Sequence, residues 1–380
     1  MMVIKKTIAV MVVFLLLSSP AMGIYVHRNP SSLKKTYFEK RNDILLPQSR
    51  VVQLIDHKAQ GENKFDDFAF SPVDIELQDD AFHGADTPHF IEWWYFDAVF
   101  NNDYSIQASL HVFSVINQGF AYLTINLYKD NNLTLNEKKL YPLPDLYLSK
   151  DAPLILINGK QFMIGHIDTI TGDWIYDISF ENGDTLLDLH FIGCTEGWKG
   201  ATPAGWWGVI LPRAEVNGKI TVENREIELE GVGYHDHNWD VTLSAALNFG
   251  WVWGKVNSNN YTVTWSNILA TWFLDNPLIV INEKNNGYVN VEPENISITV
   301  EDIRFKDGML IPYAFAIDAH NENVSLDVDI KVLETHYVSI MGMINYWRYH
   351  VNCTGLITVG SKTEVIDEKN IAEFVRFRFY

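Results

Sequence analysis

Cysteine is almost absent from this 380-residue chain: Cys194 and Cys353 stand alone and far apart, so no disulfide framework staples the fold. Clustered basic residues are missing too. The formal net charge is −19 at pH 7 and Lys and Arg gather only into pairs such as Lys34-Lys35, which excludes the phosphate-binding footprint of a nucleic-acid partner. The acidic excess is spread along the chain and reads as a solvated surface. Neither a Gly-x-Ser-x-Gly elbow, a His-Glu-x-x-His pair nor a glycine-rich phosphate loop occurs, so the chemistries those motifs announce have no support here. Helix-period stretches are scarce. The best is Ser31 to Gln60, expected as an arm over a barrel mouth or a lead-in. Long apolar runs are limited to Thr7–Leu17, preceded by Lys5 and Lys6 and followed by Ala21-Met22-Gly23. That run is shorter than the roughly 20 residues of a membrane span and has the layout of a signal peptide over 1–23. An extracytoplasmic protein is expected, secreted, or membrane-anchored if the leader is retained.

What the chain does have is apolar and aromatic material, at 47% hydrophobic and 13% aromatic residues, enough for packed cores. Its length suits two domains, since single cores stop growing near roughly 250 residues. The expected division is an arm over 24–64, one domain over 65–240 and another over 241–380.

Asn-Gly and Asp-Gly pairs set between short alternating runs mark β-hairpins, because both central residues of a type I′ turn need positive φ. They stand at Asn158-Gly159, Asn182-Gly183, Asn217-Gly218, Asn286-Gly287 and Asp307-Gly308. Ile106, Ala108, Leu110 and Val112 alternate with Gln107, Ser109 and His111 at the strand period. The expected class is all-β, with antiparallel barrels or sandwiches.

Three aromatic clusters carry polar groups. In the first, His89 to Asp97, a strand would put Glu92, Trp94 and Phe96 on one face and Trp93, Tyr95 and Asp97 on the other. The second is Gly205-Trp206-Trp207-Gly208. The third runs from Gly231 to Asp240 and contains Tyr234-His235-Asp236-His237-Asn238-Trp239. Tryptophans commonly fill barrel interiors, each burying roughly 200 Å². A carboxylate among indoles is harder to explain by packing, because burial penalises its charge unless it is paired, hydrogen-bonded or protonated. Glu92, Asp97, Asp236, His235 and His237 are therefore the polar candidates. His235 and His237 would share a strand face about 7 Å apart. A third ligand from another strand would make a metal site of them, but no Cys pair or His-Glu-x-x-His motif accompanies them and histidines hydrogen-bonded to Asp236 or Asn238 are commoner, so no metal and no cofactor is expected.

Glu92-Trp93-Trp94-Tyr95-Phe96, preceded by His83 and His89 and followed downstream by Gly233 to Trp239, resembles the hydroxyneurosporene synthase (carotenoid 1,2-hydratase) and AttH-like family. The resemblance covers Phe65 to Trp239 and implies two lipocalin-like β domains. It also implies acid-assisted addition to a carbon–carbon double bond of an isoprenoid or polyene, or a cyclisation, with aromatic faces stabilising a tertiary cation. By matching motifs it carries over Asp236, His237 and Trp239 as the site core, with Glu92, Trp94 and Tyr95 lining the pocket. Asp236 or Glu92 would be the acid and His237 would orient it. Trp93, Trp206, Trp207 and Tyr234 complete the expected substrate-binding set. The carotenoid hydratases place a Tyr-x-Asp pair after the second motif, whereas this chain has Tyr261-Thr262-Val263-Thr264-Trp265-Ser266, without a carboxylate. The expected partner is a hydrophobic small molecule, with peripheral membrane association compatible with it. Two other readings stay open: a non-enzymatic lipid or pigment carrier, and a secreted glycan-binding or glycoside-cleaving protein.

Overall fold

The computed structural model describes residues 70–84, 89–115, 118–242, 250–269, 275–340 and 344–377. The expected leader, arm and helical stretch lie outside the described residues. Among those described, the chain is all-β and 4% helical, with one nearly closed barrel and one half-barrel sheet. No helix among them is long and apolar enough to cross a membrane.

The first sheet is built from β1 (Val73–Asp74), β2 (His89–Phe100), β3 (Tyr104–Val115), β4 (Gln118–Lys129), β5 (Asn132–Pro142), β6 (Leu146–Leu148) and β7 (Leu154–Ile157). It continues through β8 (Lys160–Ile167), β9 (Trp174–Asn182), β10 (Thr185–Gly193), β11 (Trp198–Thr202), β12 (Gly205–Val222) and β13 (Arg225–Thr242). The second holds β14 (Gly250–Asn257), β15 (Tyr261–Leu269), β16 (Asp275–Glu283), β17 (Tyr288–Val291), β18 (Ile296–Lys306), β19 (Met309–His320), β20 (Val324–Ile340), β21 (Ile344–Val359) and β22 (Lys362–Phe377). The first sheet runs β5-β4-β3-β2-β13-β12-β10-β9-β8-β7-β6, with β11 paired to β12 and to β1, and the second runs β17-β16-β15-β14-β22-β21-β20-β19-β18.

The site depends on one pairing in this order. The last long strand of the first sheet, β13, pairs with its first long strand, β2, with Tyr95 opposite Asp236, Trp94 opposite His237 and Trp93 opposite Asn238. Two motifs remote in sequence thereby become one continuous wall.

Local chemistry explains most of the turns. Asn158-Gly159 and Asp307-Gly308 both take positive φ and join β7 to β8 and β18 to β19, as the type I′ pattern requires. Gly183 and Gly287 likewise sit in turns at positive φ. Asn217-Gly218 does not form a hairpin. It lies inside β12, because a Cβ at Gly218 would stand 2.1 Å from the Asp188 carbonyl oxygen of the neighbouring strand. The glycine permits close backbone approach, and the turn falls at Glu223-Asn224, whose φ values are 51° and 61°.

Three apolar clusters result. The inner face of the first sheet collects Trp94, Phe96, Tyr176, Phe191 and Leu211, and the second sheet buries Trp265, Phe315, Trp347 and Tyr349. A third cluster lies where the sheets face one another, with Tyr95, Trp207 and Tyr234 from one side and Trp253, Ile268 and Leu278 from the other. Cys194 and Cys353 are both buried and unbridged. Packing is tight enough to test. Gly254 on β14 sits opposite Trp265 on β15, and a Cβ there would lie 2.7 Å from the indole. Gly254→Ala is expected to cost about 1–3 kcal/mol through overpacking, read as a lower urea midpoint at unchanged slope.

Candidate functional site

Because side chains alternate along a strand, the β2–β13 wall presents two different polar sites, one on each face. The face toward the second sheet carries Trp93, Tyr95, Asp97, Tyr234, Asp236 and Asn238. The face toward the interior of the first sheet carries Glu92, Trp94, Phe96, His235, His237 and Trp239.

A cleft opens on the first face. It is lined by Trp93, Tyr95, Trp207 and Asp236 from the first sheet and by Trp251, Trp253, Ser266, Ile268 and Glu373 from the second, around about 650 Å³ of unfilled space, mouth included. Asp236 is buried among the rings. Its Oδ2 accepts hydrogen bonds from Trp207 Nε1 (3.1 Å) and the Tyr234 hydroxyl (2.9 Å), and its Oδ1 a longer one from Asn238 (3.3 Å). Burial pushes its carboxyl up to about 7, with the nearby Glu373 and Asp97 charges adding to the rise and the two Oδ2 bonds opposing it. Oδ1, with only the long Asn238 bond, is the atom left to carry a proton. Burial also raises Glu373, against the opposing pull of Arg348 and of its hydrogen bonds.

Beneath the cleft runs a buried chain of charges and hydroxyls. Lys255 pairs with Asp97, whose other oxygen accepts from the Tyr95 hydroxyl at 3.1 Å. Arg348, fully buried, donates to the Tyr95 oxygen (2.8 Å) and the Ile106 carbonyl (3.1 Å) and lies 3.9 Å from Glu373. Tyr346 donates to Glu373 at 2.6 Å. The Lys255 ammonium also stands over the Tyr234 and Trp253 rings. This network ties the two sheets together and fixes the carboxylates of the cleft floor.

The opposite face holds an imidazole–carboxylate cluster. Glu92 accepts backbone N–H bonds from His83 and Gly84, both at 2.9 Å, and lies 3.0 Å from His237 Nε2. Asp80, at the end of a short 3-10 turn (Leu77–Asp80), sits 3.0 Å from His235 Nε2 and 3.3 Å from His237 Nδ1. Burial would raise both carboxyls. The imidazoles outweigh it, holding Asp80 down at about 2 and Glu92 below its ordinary range, while the two carboxylates raise His237 to about 9 against its own desolvation. The rings are stacked in place: Trp94 on His237 at 4.5 Å, Phe96 on His235 at 3.7 Å and Trp239 on His83 at 4.4 Å.

The expected site residues thus divide. Trp93, Tyr95, Trp207 and Asp236 line the cleft and Tyr234 supports it from below. Glu92, Trp94, His237 and Trp239 face the other way, and Trp206 stacks on Trp239 at 5.9 Å. His237 therefore lies against Glu92 and not Asp236, and Glu92 faces away from the cleft with its carboxyl held below the ordinary range. Sequence reasoning missed Asp80, Lys255, Arg348 and Glu373. The last had one legible mark: it is a lone carboxylate in the apolar run Ile371-Ala372-Glu373-Phe374-Val375.

Comparison with known proteins agrees with this architecture. No protein-family model matches the chain. It is 22% identical over 319 residues to the hydroxyneurosporene dehydrogenase of Chlorobaculum tepidum, covering 70% of this chain and 80% of that protein. The crystal structure of an AttH protein from Nitrosomonas europaea superposes with a TM-score of 0.56 at 14% identity, covering 80% of this chain and 96% of the other. The structure of CghA with Sch210972 gives 0.51 at 10% identity, covering 76% and 89%. The chain therefore has the lipocalin-like AttH fold, and the resemblance read from its two motifs is accompanied by similarity to the Chlorobaculum protein over most of the chain.

Proposed function

We propose that this protein catalyses acid-assisted addition of water to, or cyclisation of, a hydrophobic isoprenoid or polyene in the cleft between the two sheets. The observation that carries the proposal is Asp236, a carboxyl buried inside a wall of indoles, where burial pushes it up to about 7. Its proton passes to one carbon of a double bond, leaving a tertiary cation at the other. The faces of Trp93, Trp207, Trp251 and Trp253 suit that charge. Water adds to the cation and gives its extra proton to a carboxylate, either Asp236, which restores the acid, or Glu373. Glu373 supplies from β22 the second carboxylate that the Tyr261–Ser266 stretch lacks, and Ser266 lines the cleft at that stretch.

The name of the Chlorobaculum relative points the substrate search toward hydroxyneurosporene and similar isoprenoid polyenes. Addition of water, rather than redox chemistry, is proposed because a protonated carboxyl is the cleft's distinguishing group. Export, as the leader suggests, belongs to the same proposal, as does transient contact with the membranes in which such substrates dissolve. Incubating the protein with a panel of acyclic isoprenoid polyenes in ¹⁸O-labelled water tests the reading. One labelled oxygen in the product supports hydration and an isomer without label supports cyclisation. Ligands bound and returned unchanged throughout the panel would instead favour a carrier.

A further inference from the structure

The interior face of the β2–β13 wall carries a second set of groups that the cleft chemistry does not use. We propose that His83, Glu92 and His237 form a binding site for a divalent transition-metal ion of the zinc type.

Three side chains from three parts of the chain converge there: His83 from the segment before β2, Glu92 from β2 and His237 from β13. One donor atom from each lies within 4.8 Å of the others. His237 Nε2 is 3.0 Å and His83 Nδ1 3.7 Å from the same oxygen, Glu92 Oε1. Ligands around a tetrahedral zinc ion stand about 3.3 Å apart, so both distances to Glu92 Oε1 are near the required spacing, and the two imidazoles, within 4.8 Å of one another, would draw together around the ion. Two imidazoles and one carboxylate are a donor set suited to zinc or ferrous iron, not to magnesium or calcium.

The surroundings are those of a prepared site. Histidine ligands usually have their second ring nitrogen held by a carbonyl or carboxylate. Here His237 Nδ1 lies 3.2 Å from the Asp79 carbonyl and 3.3 Å from Asp80 Oδ1. The Glu92 carboxylate is fixed by two backbone N–H groups. Trp94 Nε1 donates to the Asp80 carbonyl at 3.0 Å, pinning the turn that carries both aspartates.

An independent observation also points to a ligand. His83 Nδ1 is buried and makes no hydrogen bond, although its ring is held flat against Trp239. Its nearest acceptor, Glu92 Oε1 at 3.7 Å, is beyond hydrogen-bond length, a poor satisfaction of a buried nitrogen that an ion beside that oxygen would improve. Asp80 and Glu92 are fully buried, and their ion pairs run to imidazoles, the side chains that a zinc-type ion also binds. The His83 side chain is 29% exposed, so exchange from solvent and a water as fourth ligand are open.

The site lies on the face opposite the cleft, so its test is independent of the proposed reaction. Protein stripped with EDTA and desalted is titrated with zinc sulfate, with metal counted by mass spectrometry and Co²⁺ used as an absorption probe. The expected result is one zinc per chain, a higher Tm on addition and intense tetrahedral Co²⁺ bands. His83→Gln is the informative variant, because His83 Nδ1 makes no hydrogen bond whose loss would unfold the protein. It is expected to weaken zinc binding by about 100-fold, while His166→Gln, at an exposed position, leaves it unchanged. Folded wild type that takes up well under one equivalent would overturn the proposal, as would His83→Gln retaining full affinity.

Discussion

Asp236→Asn is expected to lower turnover by about 10²- to 10⁴-fold, the usual share of a positioned general acid, while ligand binding persists. The amide is isosteric and its oxygen still accepts from Trp207 and Tyr234, so the cleft keeps its shape and loses only the transferable proton. The pH dependence follows from the same group. Burial raises its carboxyl to about 7, the protonated form is the active one, and kcat/KM for the wild type should therefore fall as pH rises through about 7. Glu92→Gln provides the contrast. Glu92 faces the barrel interior, so its substitution should leave that pH limb in place. Loss of the limb in Glu92→Gln, with the limb retained in Asp236→Asn, would reverse the assignment.

Arg348→Met is expected to cost about 3–5 kcal/mol of stability, because it strands a buried carboxylate. Arg348 is the guanidinium that binds the Tyr95 hydroxyl and the Ile106 carbonyl from the second sheet and faces Glu373 across 3.9 Å. Without it, Glu373 keeps only its hydrogen-bond donors, in a place where burial already opposes its charge. Adding Glu373→Gln should recover part of the loss, since a neutral amide no longer needs the partner. A double-mutant cycle by urea unfolding measures the coupling, and two losses that simply add would show that the pair does not interact.

How much of this was legible in the sequence depends on the range over which each device acts. The split of β2 into two faces was readable, because the period of two is local and strict: Glu92 and Trp94 parted from Trp93 and Tyr95 as expected. What could not be read was that Asp236 and His237, adjacent in the third cluster, belong to different sites for the same reason. That inference needs to know what lies beyond each face. Asp80 arrives at His235 and His237 from a short turn with no motif of its own, and Glu373 and Arg348 arrive beside the cleft from the other sheet, so only the tertiary packing brings them to the β2–β13 wall. Asn217-Gly218 misled because the dipeptide looks alike in a turn and in a strand whose neighbour comes too close for a Cβ. The turn at Glu223-Asn224 contains no glycine to announce it.

The most direct test of the central claim compares wild type and Asp236→Asn, both purified from the native host, extracted with organic solvent and analysed by mass spectrometry. The account predicts an unsaturated lipid together with its hydrated or cyclised form from the wild type, and the unmodified lipid alone from the variant. The same modified product from both proteins would contradict it.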